Sequence, residues 1–435
     1  MREIEKMVSG GKIRGLSMED GTVQFRGIRY ATAKRWCYPQ PVEKWSGVYD
    51  ATKFGAACVQ GRTFRPEKEQ KPEPFYYREF RRGLDFTYSE DCLFLNIYAP
   101  EEAKKAPVLL FIHGGAFMGG CGNELHMDGT AYARRNFVFV SINYRLGPLG
   151  FLADRQLAEE AGHTGNYGLY DQLEAIRWVY DHIADFGGDP ENITLFGQSA
   201  GAMSIQQHVL SPLTKPYFHA VYMASGGGIS REFTDVTPVE DSYEYCARLT
   251  SLLGRSPQEW RKHPVKDVFA ALERVADSEL LSHYCPHVDE RLIPKTPSEA
   301  LKEGAAKDVP YLLSTNSEDM APEILAPMAK NWCEAMNDRN RNRAYYFQFS
   351  RHMPGDDSGA FHSAELWYTM GTLEKCWRPL TDWDYSLQEA LLACLGSFMK
   401  TGTPQSPLVP EWKPYTRMSR DRLEFGDRAI SQIRD

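Results

Sequence analysis

The sequence lacks several features that would place it in common functional classes. No apolar run approaches the roughly 18 residues that span a membrane, and the N-terminal stretch MREIEKMVSGGKIRG has no apolar core of a signal peptide. Lysine and arginine number 50 against 58 aspartate and glutamate, a net charge of −8. This balance indicates no basic surface for nucleic acid or an anionic membrane. We therefore expect a cytoplasmic protein that binds neither.

Cysteine is present but follows no pattern. The nine cysteines are scattered, and no two of them have the C-x-x-C spacing that is typical of zinc sites and dithiol redox centres. In a reducing compartment such thiols remain free. The sequence therefore predicts neither a metal site nor a redox motif.

Internal repeats and low-complexity segments are also missing, and the remaining pattern is that of an α/β protein. Short apolar runs such as APVLLFIHGG, NITLFG and AVYMASG alternate with helical patterns such as LYDQLEAIRWVYDHIADFGGDP. Continuous apolar strands between amphipathic helices are typical of a mostly parallel sheet that is covered on both faces. We predict one such domain over residues 1–435.

Three regions depart from this alternation. Residues 1–60 alternate apolar and polar positions around the turn signal Asp20-Gly21, which predicts β-hairpins. Residues 61–90 are charged and contain proline, so we expect a surface loop there. Residues 230–305 are rich in charge and helix-like, and we interpret them as a helical insertion over the sheet.

The clearest chemical signal is ENITLFGQSAGAMSIQQHVLS, residues 191–211. It places Ser199 between Gly197 and Gly201 at a strand-to-helix corner, the nucleophile elbow known from α/β-hydrolases. A serine that projects from such a turn needs strained backbone angles, and glycines avoid collisions of Cβ atoms with the strand and helix. The helix that starts at Ala200 directs its amides and its positive dipole end to the same point. We predict that Ser199 is a nucleophile.

A second glycine-rich segment strengthens this interpretation. In LLFIHGGAFMGG, residues 109–120, an apolar strand is followed by a histidine and two glycines. Acyl transfer needs backbone amides directed at the oxyanion, and small residues allow the close approach. We predict that the amides of Gly114, Gly115 and Ala200 form an oxyanion hole.

The order of residues along the chain limits the choice of acid and base. In this fold the acid follows the serine and the histidine follows the acid. VPYLLSTNSEDM places Glu318 and Asp319 just after a strand, and either carboxylate could be the acid. Beyond them stand only His352, directly after a strand, and His362, in a loop before a helix-like run. The second position is where the base belongs, so we predict His362.

Together these residues make the sequence resemble the type-B carboxylesterases, the family that includes para-nitrobenzyl esterases and cholinesterases. The resemblance covers nearly the whole chain and is carried by SEDCLFLNIYAP, HGGAFMGG, VSINYRLGPLGFL, ENITLFGQSAGA and GAFHSAEL. It implies an α/β-hydrolase fold, hydrolysis of small-molecule carboxylic esters and no cofactor. It also agrees with Ser199 as the nucleophile and His362 as the base.

The acid motif of this chain differs from that of the family. The usual acid is the glutamate of an Asp-Glu-Gly motif, and this chain reads Glu318-Asp319-Met320. The resemblance therefore assigns the acid to Asp319, which is one methylene shorter and requires a loop closer to His362. Glu318 remains the alternative acid.

Other departures concern the surroundings of the site. The glutamate that commonly precedes the nucleophile is Gln198, which weakens any preference for cationic substrates. The acid and the histidine are only 43 positions apart, so we expect a shortened lid and an open site with room for bulky acyl or alcohol groups. Cys58 and Cys92 match a disulfide pair of secreted relatives, which a cytoplasmic protein would keep reduced.

The resemblance also suggests supporting residues. Ser225 and Glu365, together with Gln198, would belong to the polar network around the triad. Four aromatic residues are candidates to line the pocket, although core packing would explain them equally well: Phe117, Trp332, Trp367 and Tyr368.

We therefore predict a serine carboxylesterase that acts through an acyl-enzyme. One alternative is a specialised esterase for feruloyl or acetyl plant-wall esters or for drug-like esters. Another is a non-catalytic binding protein of the same family, against which the presence of Ser199 and His362 argues. Nothing in the sequence indicates an oligomeric state.

Overall fold

The alternation of apolar strands and helices builds one large sheet. The computed structural model describes residues 1–163, 165–230, 236, 238–253, 256–275, 285–338 and 343–435. The strands are β1 (Arg2–Val8), β2 (Gly11–Ser17), β3 (Thr22–Arg29), β4 (Ala31–Thr32), β5 (Gln40–Pro41), β6 (Val48–Asp50), β7 (Ala57–Cys58), β8 (Tyr88–Ser89), β9 (Phe94–Pro100), β10 (Ala106–Ile112), β11 (Val138–Ile142), β12 (Gly188–Gln198), β13 (Ala220–Ala224), β14 (Tyr311–Asn316), β15 (Ala344–Phe349), β16 (Asp421–Phe425) and β17 (Ile430–Arg434).

Helices connect most of the later strands. The α-helices are α1 (Gly61–Phe64), α2 (Phe75–Phe80), α3 (Thr130–Ala133), α4 (Gly147–Phe151), α5 (Arg155–Ala161), α6 (Tyr167–His182), α7 (Ala200–Leu210), α8 (Val239–Leu253), α9 (Pro257–Trp260), α10 (Val265–Val275), α11 (Pro297–Lys302), α12 (Pro322–Asp338), α13 (Leu366–Thr369) and α14 (Asp382–Thr401). Short 3-10 helices occur at Glu67–Glu69, Leu125–Met127, Ile183–Phe186, Lys215–Tyr217 and Leu373–Lys375.

The sheet has a parallel centre and antiparallel flanks. Its strand order is β1-β2-β3-β9-β11-β10-β12-β13-β14-β15-β16-β17, with β6 paired to β2. The strands from β11 to β16 in this order are parallel. The flanking pairs β1-β2, β2-β3, β3-β9, β9-β11 and β16-β17 are antiparallel, and β6 is parallel to β2. The prediction of a mostly parallel sheet is confirmed. Parallel strands end at the same edge, so the loops after β10, β12, β14 and β15 meet there.

Two apolar cores lie on opposite faces of the sheet. In β10, Val108 and Leu110 belong to one core, and Leu109 and Phe111 to the other, as expected from the two-residue period of a strand. Helices α6, α7 and α12 contribute to the first core, and α3 and α14 to the second. The predicted coverage of both faces by helices is confirmed.

The prediction of a surface loop over residues 61–90 is wrong in part. Helix α2 lies in this stretch, and its residues Glu79 and Phe80 are buried. The charge of Glu79 did not indicate exposure because Arg378, far along the chain, neutralises it at 2.7 Å. Pro74 is the N-cap of α2 and adds the fixed φ that favours a helix start.

The stretch predicted as an insertion is helical where it is described. Within residues 230–305 lie α8, α9, α10 and α11. Other parts of the same stretch lie outside the described residues, namely 231–235, 237, 254–255 and 276–284. Its role as an insertion into one domain stays a prediction. In the part of the chain that the structure describes, no helix combines the length and apolarity of a membrane crossing.

Candidate active site

Ser199 is the corner residue between β12 and α7. Its backbone angles, φ 56° and ψ −128°, lie in a region that L-residues seldom adopt. The corner is held because the Ser199 amide donates to the Ala224 carbonyl at 2.8 Å and the Ser199 carbonyl accepts from Met203 at 3.0 Å. The strained turn presents the Ser199 side chain to a cavity.

The two glycines of the elbow are needed for close backbone contacts. A Cβ atom on Gly201 would lie 2.0 Å from the Ile112 carbonyl oxygen, and one on Gly197 would lie 2.5 Å from the backbone of Gly201. Both distances are shorter than atoms can approach, so the corner accepts only glycine at these positions. The expectation of collisions with the neighbouring strand and helix agrees with these distances.

The glycine-rich loop after β10 reaches the same corner. A Cβ atom on Gly114 would lie 2.6 Å from the Gln198 carbonyl oxygen and 2.9 Å from the Ser199 Cβ. Gly115 has φ +109°, and its carbonyl accepts from Met118 and Gly119 at 3.0 Å. Within the described residues, the backbone amides of Gly114, Gly115 and Ala200 donate to no protein group, so all three are available to a ligand.

His362 and Asp319 form a direct hydrogen bond at this edge of the sheet. The Nδ1 atom of His362 donates to the Asp319 carboxylate. His362 is 8% exposed, and the Asp319 side chain is fully buried. The loops after β14 and β15 thus bring together two residues that the sequence predicts as acid and base.

Several donors keep Asp319 ionised. Burial alone would raise its pKa, but the hydrogen bond and charge of His362 lower the pKa below its ordinary value. Ser225 Oγ donates to Asp319 at 2.7 Å, and the Asn316 amide donates at 3.0 Å. Ser225, with φ 47°, therefore lies where a residue supporting the acid would be expected.

Glu318, the alternative acid, has a different partner. Its carboxylate contacts His352 Nε2 at 2.9 Å, and its side chain is 47% exposed. His352 also pairs with Asp427 at 2.5 Å. The adjacent carboxylates thus lie on opposite sides of the strand end, and His362 contacts Asp319 alone of the two.

Glu365 lies behind the base in a buried position. Its Oε2 accepts a hydrogen bond from Asn316 Nδ2 at 2.6 Å, and its Oε1 has no hydrogen-bond partner among the described residues. Burial, and next the negative charge of Asp319, raise the pKa of Glu365 to about 7. Glu365 therefore belongs to the same electrostatic group as Asp319 and His362.

The raised pKa of Glu365 predicts a pH-dependent stability. The folded protein keeps this proton up to about pH 7, whereas an unfolded chain releases it near pH 4.5. The free energy of unfolding should therefore fall as pH rises through this window, by roughly 2 to 3 kcal/mol. Glu365→Gln, which can still accept from Asn316, should remove the fall. Urea unfolding of both proteins at pH 4.5 and 7.5 measures it, and a constant difference between them would contradict it.

A cavity of about 500 Å³ opens onto these residues. Ser199, His362 and the glycine loop line one side of it. Gly115 and Ala116 are exposed at its mouth, and Met320 is 76% exposed beside them. The site is therefore accessible from solvent.

Part of the cavity lining is an ionic wall made of Arg62, Glu67, Arg81 and Glu124. Arg62 pairs with Glu124 at 3.0 Å, and Arg81 pairs with Glu67 at 2.6 Å. Burial would raise the pKa of Glu124, but the two arginines lower it to about 2. Two positive and two negative groups thus balance, and the wall is polar without net charge.

Two buried histidines also line the cavity, together with apolar side chains that include Phe80, Phe111 and Met127. Burial lowers the pKa of His113 and of His126 to about 4. Both are therefore neutral at physiological pH and add no positive charge to the cavity.

Phe117 and Trp332 do not line the cavity, so their prediction as pocket residues is wrong. Phe117 is 2% exposed and packs edge-on against Phe151, because its positive φ of 58° turns it into the core. Trp332 is fully buried in α12 and packs against Tyr311 of β14.

Trp367 and Tyr368 also belong to the core, and their assignment to the pocket is likewise wrong. Trp367 is fully buried behind Phe80 and His126, which themselves line the cavity. The Tyr368 hydroxyl donates to Asp384 at 2.6 Å, away from the cavity. All four aromatic residues satisfy the core-packing alternative.

Helix α2 supplies contacts that the sequence did not reveal. Tyr76 lines the cavity and its hydroxyl donates to the His362 carbonyl at 3.2 Å. Glu79 accepts from Arg378, whose guanidinium also donates to Pro354, Asp356 and Ser358 in the loop before His362. The contacts of Tyr76 with His362 and of Glu79 with Arg378 join residues 286 and 299 positions apart, for which no local pattern exists.

No three histidine, cysteine, aspartate or glutamate side chains of the described chain cluster as metal ligands would. Cys58 and Cys92 are buried as free thiols. The hydrogen bond that the Cys92 thiol donates to Cys58, and next burial, raise the pKa of Cys92.

Comparison with known proteins places these residues in a family context. The profile of the Carboxylesterase family matches residues 3–331. The para-nitrobenzyl esterase of Bacillus subtilis (strain 168) is 31% identical over 95% of this chain and 93% of its own length. Liver carboxylesterase 1 of Oryctolagus cuniculus is 35% identical over 68% of this chain, and the fumonisin B1 esterase of Sphingopyxis macrogoltabida is 31% identical over 73%. The chain spans about half the length of these two relatives, 54% and 56%.

Solved structures agree with the sequence relatives. A PNB esterase superposes with a TM-score of 0.86 at 26% identity, covering 99% of this chain and 97% of that protein. A structure described as a thermophilic PNB esterase superposes with a TM-score of 0.84 at the same identity and coverage. The sheet and the loops at its carboxyl edge are therefore those of a known enzyme fold.

Proposed function

The chain belongs to the carboxylesterase family and is a carboxylic ester hydrolase, and on this premise we propose that Ser199, His362 and Asp319 are its catalytic triad. The observation that carries the proposal is the hydrogen bond from His362 Nδ1 to the buried, ionised Asp319. It lies beside a strained serine at the opening of a cavity. This is the arrangement of nucleophile, base and acid that recurs in serine hydrolases.

The reaction has an acylation and a deacylation half. His362 Nε2 accepts the Ser199 proton while Ser199 Oγ forms a bond to the ester carbonyl carbon. The carbonyl electrons move to oxygen, and the free amides of Gly114, Gly115 and Ala200 bind this oxyanion. The intermediate then expels the alcohol, which takes the proton from His362. Water repeats the sequence on the acyl-enzyme and releases the acid.

Asp319 has two tasks in this scheme. Its carboxylate accepts from Nδ1 and so fixes the tautomer in which Nε2 carries the lone pair. It also stabilises the imidazolium that forms with the oxyanion. Ser225 and the Asn316 amide hold Asp319 in place for both tasks, and Glu365 adds a nearby acidic group behind the base.

The cavity suggests uncharged esters of small size as substrates. The ionic wall has no net charge, and Gln198 contributes none beside the nucleophile. The exposed mouth leaves room for bulky groups near the ester. Apolar side chains of the cavity, Phe80, Phe111, Met127 and Leu366, can bury a short acyl chain. A long chain would also have to lie against the charged residues of the ionic wall. We therefore propose short or branched acyl groups rather than long ones.

A chain-length series tests this substrate class. We expect kcat/KM for p-nitrophenyl butyrate to exceed that for p-nitrophenyl palmitate by at least about tenfold, because the shorter chain can be buried by the apolar residues of the cavity, whereas the longer chain must also lie against the charged wall. Both esters are assayed below the critical micelle concentration of the added detergent. Equal or higher kcat/KM for palmitate would contradict the assignment of the wall to the acyl or alcohol binding region.

The sequence also allowed two alternative functions, a specialised esterase and a non-catalytic binding protein. Feruloyl, acetyl plant-wall and drug-like esters gain no support from the comparisons. A non-catalytic binding protein is wrong, because the chain is an ester hydrolase.

Covalent labelling tests the proposed nucleophile. The native protein is treated with an uncharged fluorophosphonate, and the modified peptide is identified by mass spectrometry. We expect one phosphonylated residue, Ser199, and parallel loss of esterase activity. Labelling elsewhere, or full activity after complete labelling, would overturn the proposal.

A further inference from the structure

We propose that Gln198 is a positioning residue. Its side-chain amide forms a hydrogen bond with the Nε2 atom of His362 in the free protein and is displaced when an ester binds. The inference rests on the triad proposed above and concerns how that triad is held before substrate arrives. Gln198 is the last residue of β12 and is 3% exposed. Its amide nitrogen lies 3.1 Å from His362 Nε2.

The direction of this hydrogen bond follows from the other side of the ring. Nδ1 of His362 donates to Asp319, whose carboxylate is ionised and can only accept. In the neutral imidazole, Nε2 then carries the lone pair and can only accept. A carboxamide nitrogen can only donate. Gln198 therefore donates to the atom that must receive the Ser199 proton.

The Ser199 hydroxyl does not form a hydrogen bond with Nε2 of His362 in the free protein. Among the described residues, no hydrogen bond joins the Ser199 hydroxyl to another side chain. Both Ser199 and Gln198 are hydrogen-bond donors, and Nε2 has one lone pair. Only one of them can therefore bind the base at a time.

The main chain limits where the Gln198 side chain can go. Its amide oxygen lies 3.1 Å from the point where a Cβ atom of Gly114 would be, so it packs against the glycine loop. An ester whose carbonyl oxygen enters this loop comes close to the same amide. Substrate binding is therefore positioned to displace Gln198 and to free Nε2 for Ser199.

The contact has two measurable consequences. A neutral hydrogen bond shifts an equilibrium between two donors by roughly two- to tenfold, so the amide should slow the attack of Ser199 by this factor. A donor on Nε2 also favours the neutral ring. Without this donor, the acid limb of kcat/KM is expected to move to higher pH.

Other titratable groups around His362 must be separated from this effect. Asp319 faces the ring from the loop after β14, and Tyr76 faces it from α2. Glu365 lies three residues after His362 in the same loop and also acts on the ring. The charged residues of the ionic wall and the neutral His126 face it across the cavity. Of these, Glu365 has a pKa near 7, so pH profiles are recorded in both the native and the Glu365→Gln background.

The first experiment uses Gln198→Met, which has a similar size and no donor. We expect the second-order rate of phosphonylation by an uncharged fluorophosphonate to rise two- to tenfold on the pH plateau. We also expect the acid limb of kcat/KM for p-nitrophenyl butyrate to move up by about 0.3 to 1 pH unit. An unchanged or lower plateau rate, or an acid limb that does not move up, overturns the inference.

Gln172→Met is a matched control. It separates the effect of losing the contact with His362 from the effect of losing any buried amide. Gln172 is fully buried and its Oε1 bonds the ring of His208 at 3.0 Å, outside the site. Gln172→Met should lower the free energy of unfolding to a similar extent and leave both kinetic readouts unchanged. Equal kinetic effects of the two variants would overturn the inference.

A second variant covers the case in which Gln198→Met does not fold. Gln198→Glu is nearly isosteric, and its carboxylate pairs with the protonated ring instead of donating to the neutral one. We expect the acid limb to move up by at least about one pH unit; no upward movement would overturn the inference. Failure of the triad itself looks different, because the native protein would then not be phosphonylated at Ser199 at all.

Discussion

Replacement of Ser199 by alanine is expected to lower kcat/KM for p-nitrophenyl butyrate at least about a thousandfold. The change removes the only atom that can form the acyl-enzyme in the proposed reaction. The glycine loop and the helix start at Ala200 are unchanged, so binding of the ester carbonyl should persist. What remains should be the slow attack of water that the oxyanion hole still assists.

The measurement combines steady-state kinetics with covalent labelling. Ser199→Ala should take up no fluorophosphonate, and its KM should change much less than its kcat. Ser211→Ala is the matched control, because Ser211 is also buried but lies at the far end of α7. A loss below about a hundredfold in Ser199→Ala, with the control unaffected, would contradict the role of Ser199.

The second large effect is expected for Asp319→Asn. Asparagine can donate to Nδ1 and so favours the tautomer in which Nε2 carries the proton and cannot act as a base. A change of this kind lowers kcat about 10⁴-fold in a triad. The geometry around Ser225 and Asn316 should be preserved, so KM and the free energy of unfolding should change little.

Glu318→Gln serves as the comparison within the same motif. Glu318 pairs with His352 and is about half exposed, and such surface pairs contribute little to stability. We expect its kcat to stay within about threefold of the native value. The reverse order of effects, with Glu318→Gln more damaging than Asp319→Asn, would assign the acid to Glu318.

The parts of the site that could be predicted are those encoded within a few residues. Gly197, Ser199 and Gly201 form one local turn, and Gly114 and Gly115 form another. Each has a sequence pattern because its function depends on its own backbone conformation. The family resemblance then extended the prediction to Asp319, whose contact with His362 joins two separate loops.

The incorrect predictions concern the directions in which side chains point and the contacts between residues that are far apart in the sequence. Sequence indicates that Trp332 and Tyr368 are buried but not that they face away from the cavity. Glu79 is charged, and its burial is explained by Trp377 and Arg378, which donate to it from 298 and 299 positions later. The contact of Gln198 with His362 joins residues 164 positions apart. Such pairings are fixed by the packing of the whole chain, which local patterns do not record.

The contacts between α2 and the loop that carries His362 have a consequence for protein engineering. Tyr76 and Glu79 belong to a helix that borders the cavity, and through the His362 carbonyl and Arg378 they also fix the loop of the base. Libraries that randomise these positions to widen substrate scope should therefore show strong epistasis between specificity and turnover. At the rim, the side chains of Ala116 and Met320 are exposed, and Met320 contacts the acid through its backbone amide, 3.2 Å from Asp319, rather than through its side chain. Directed evolution is therefore best begun at these two side chains.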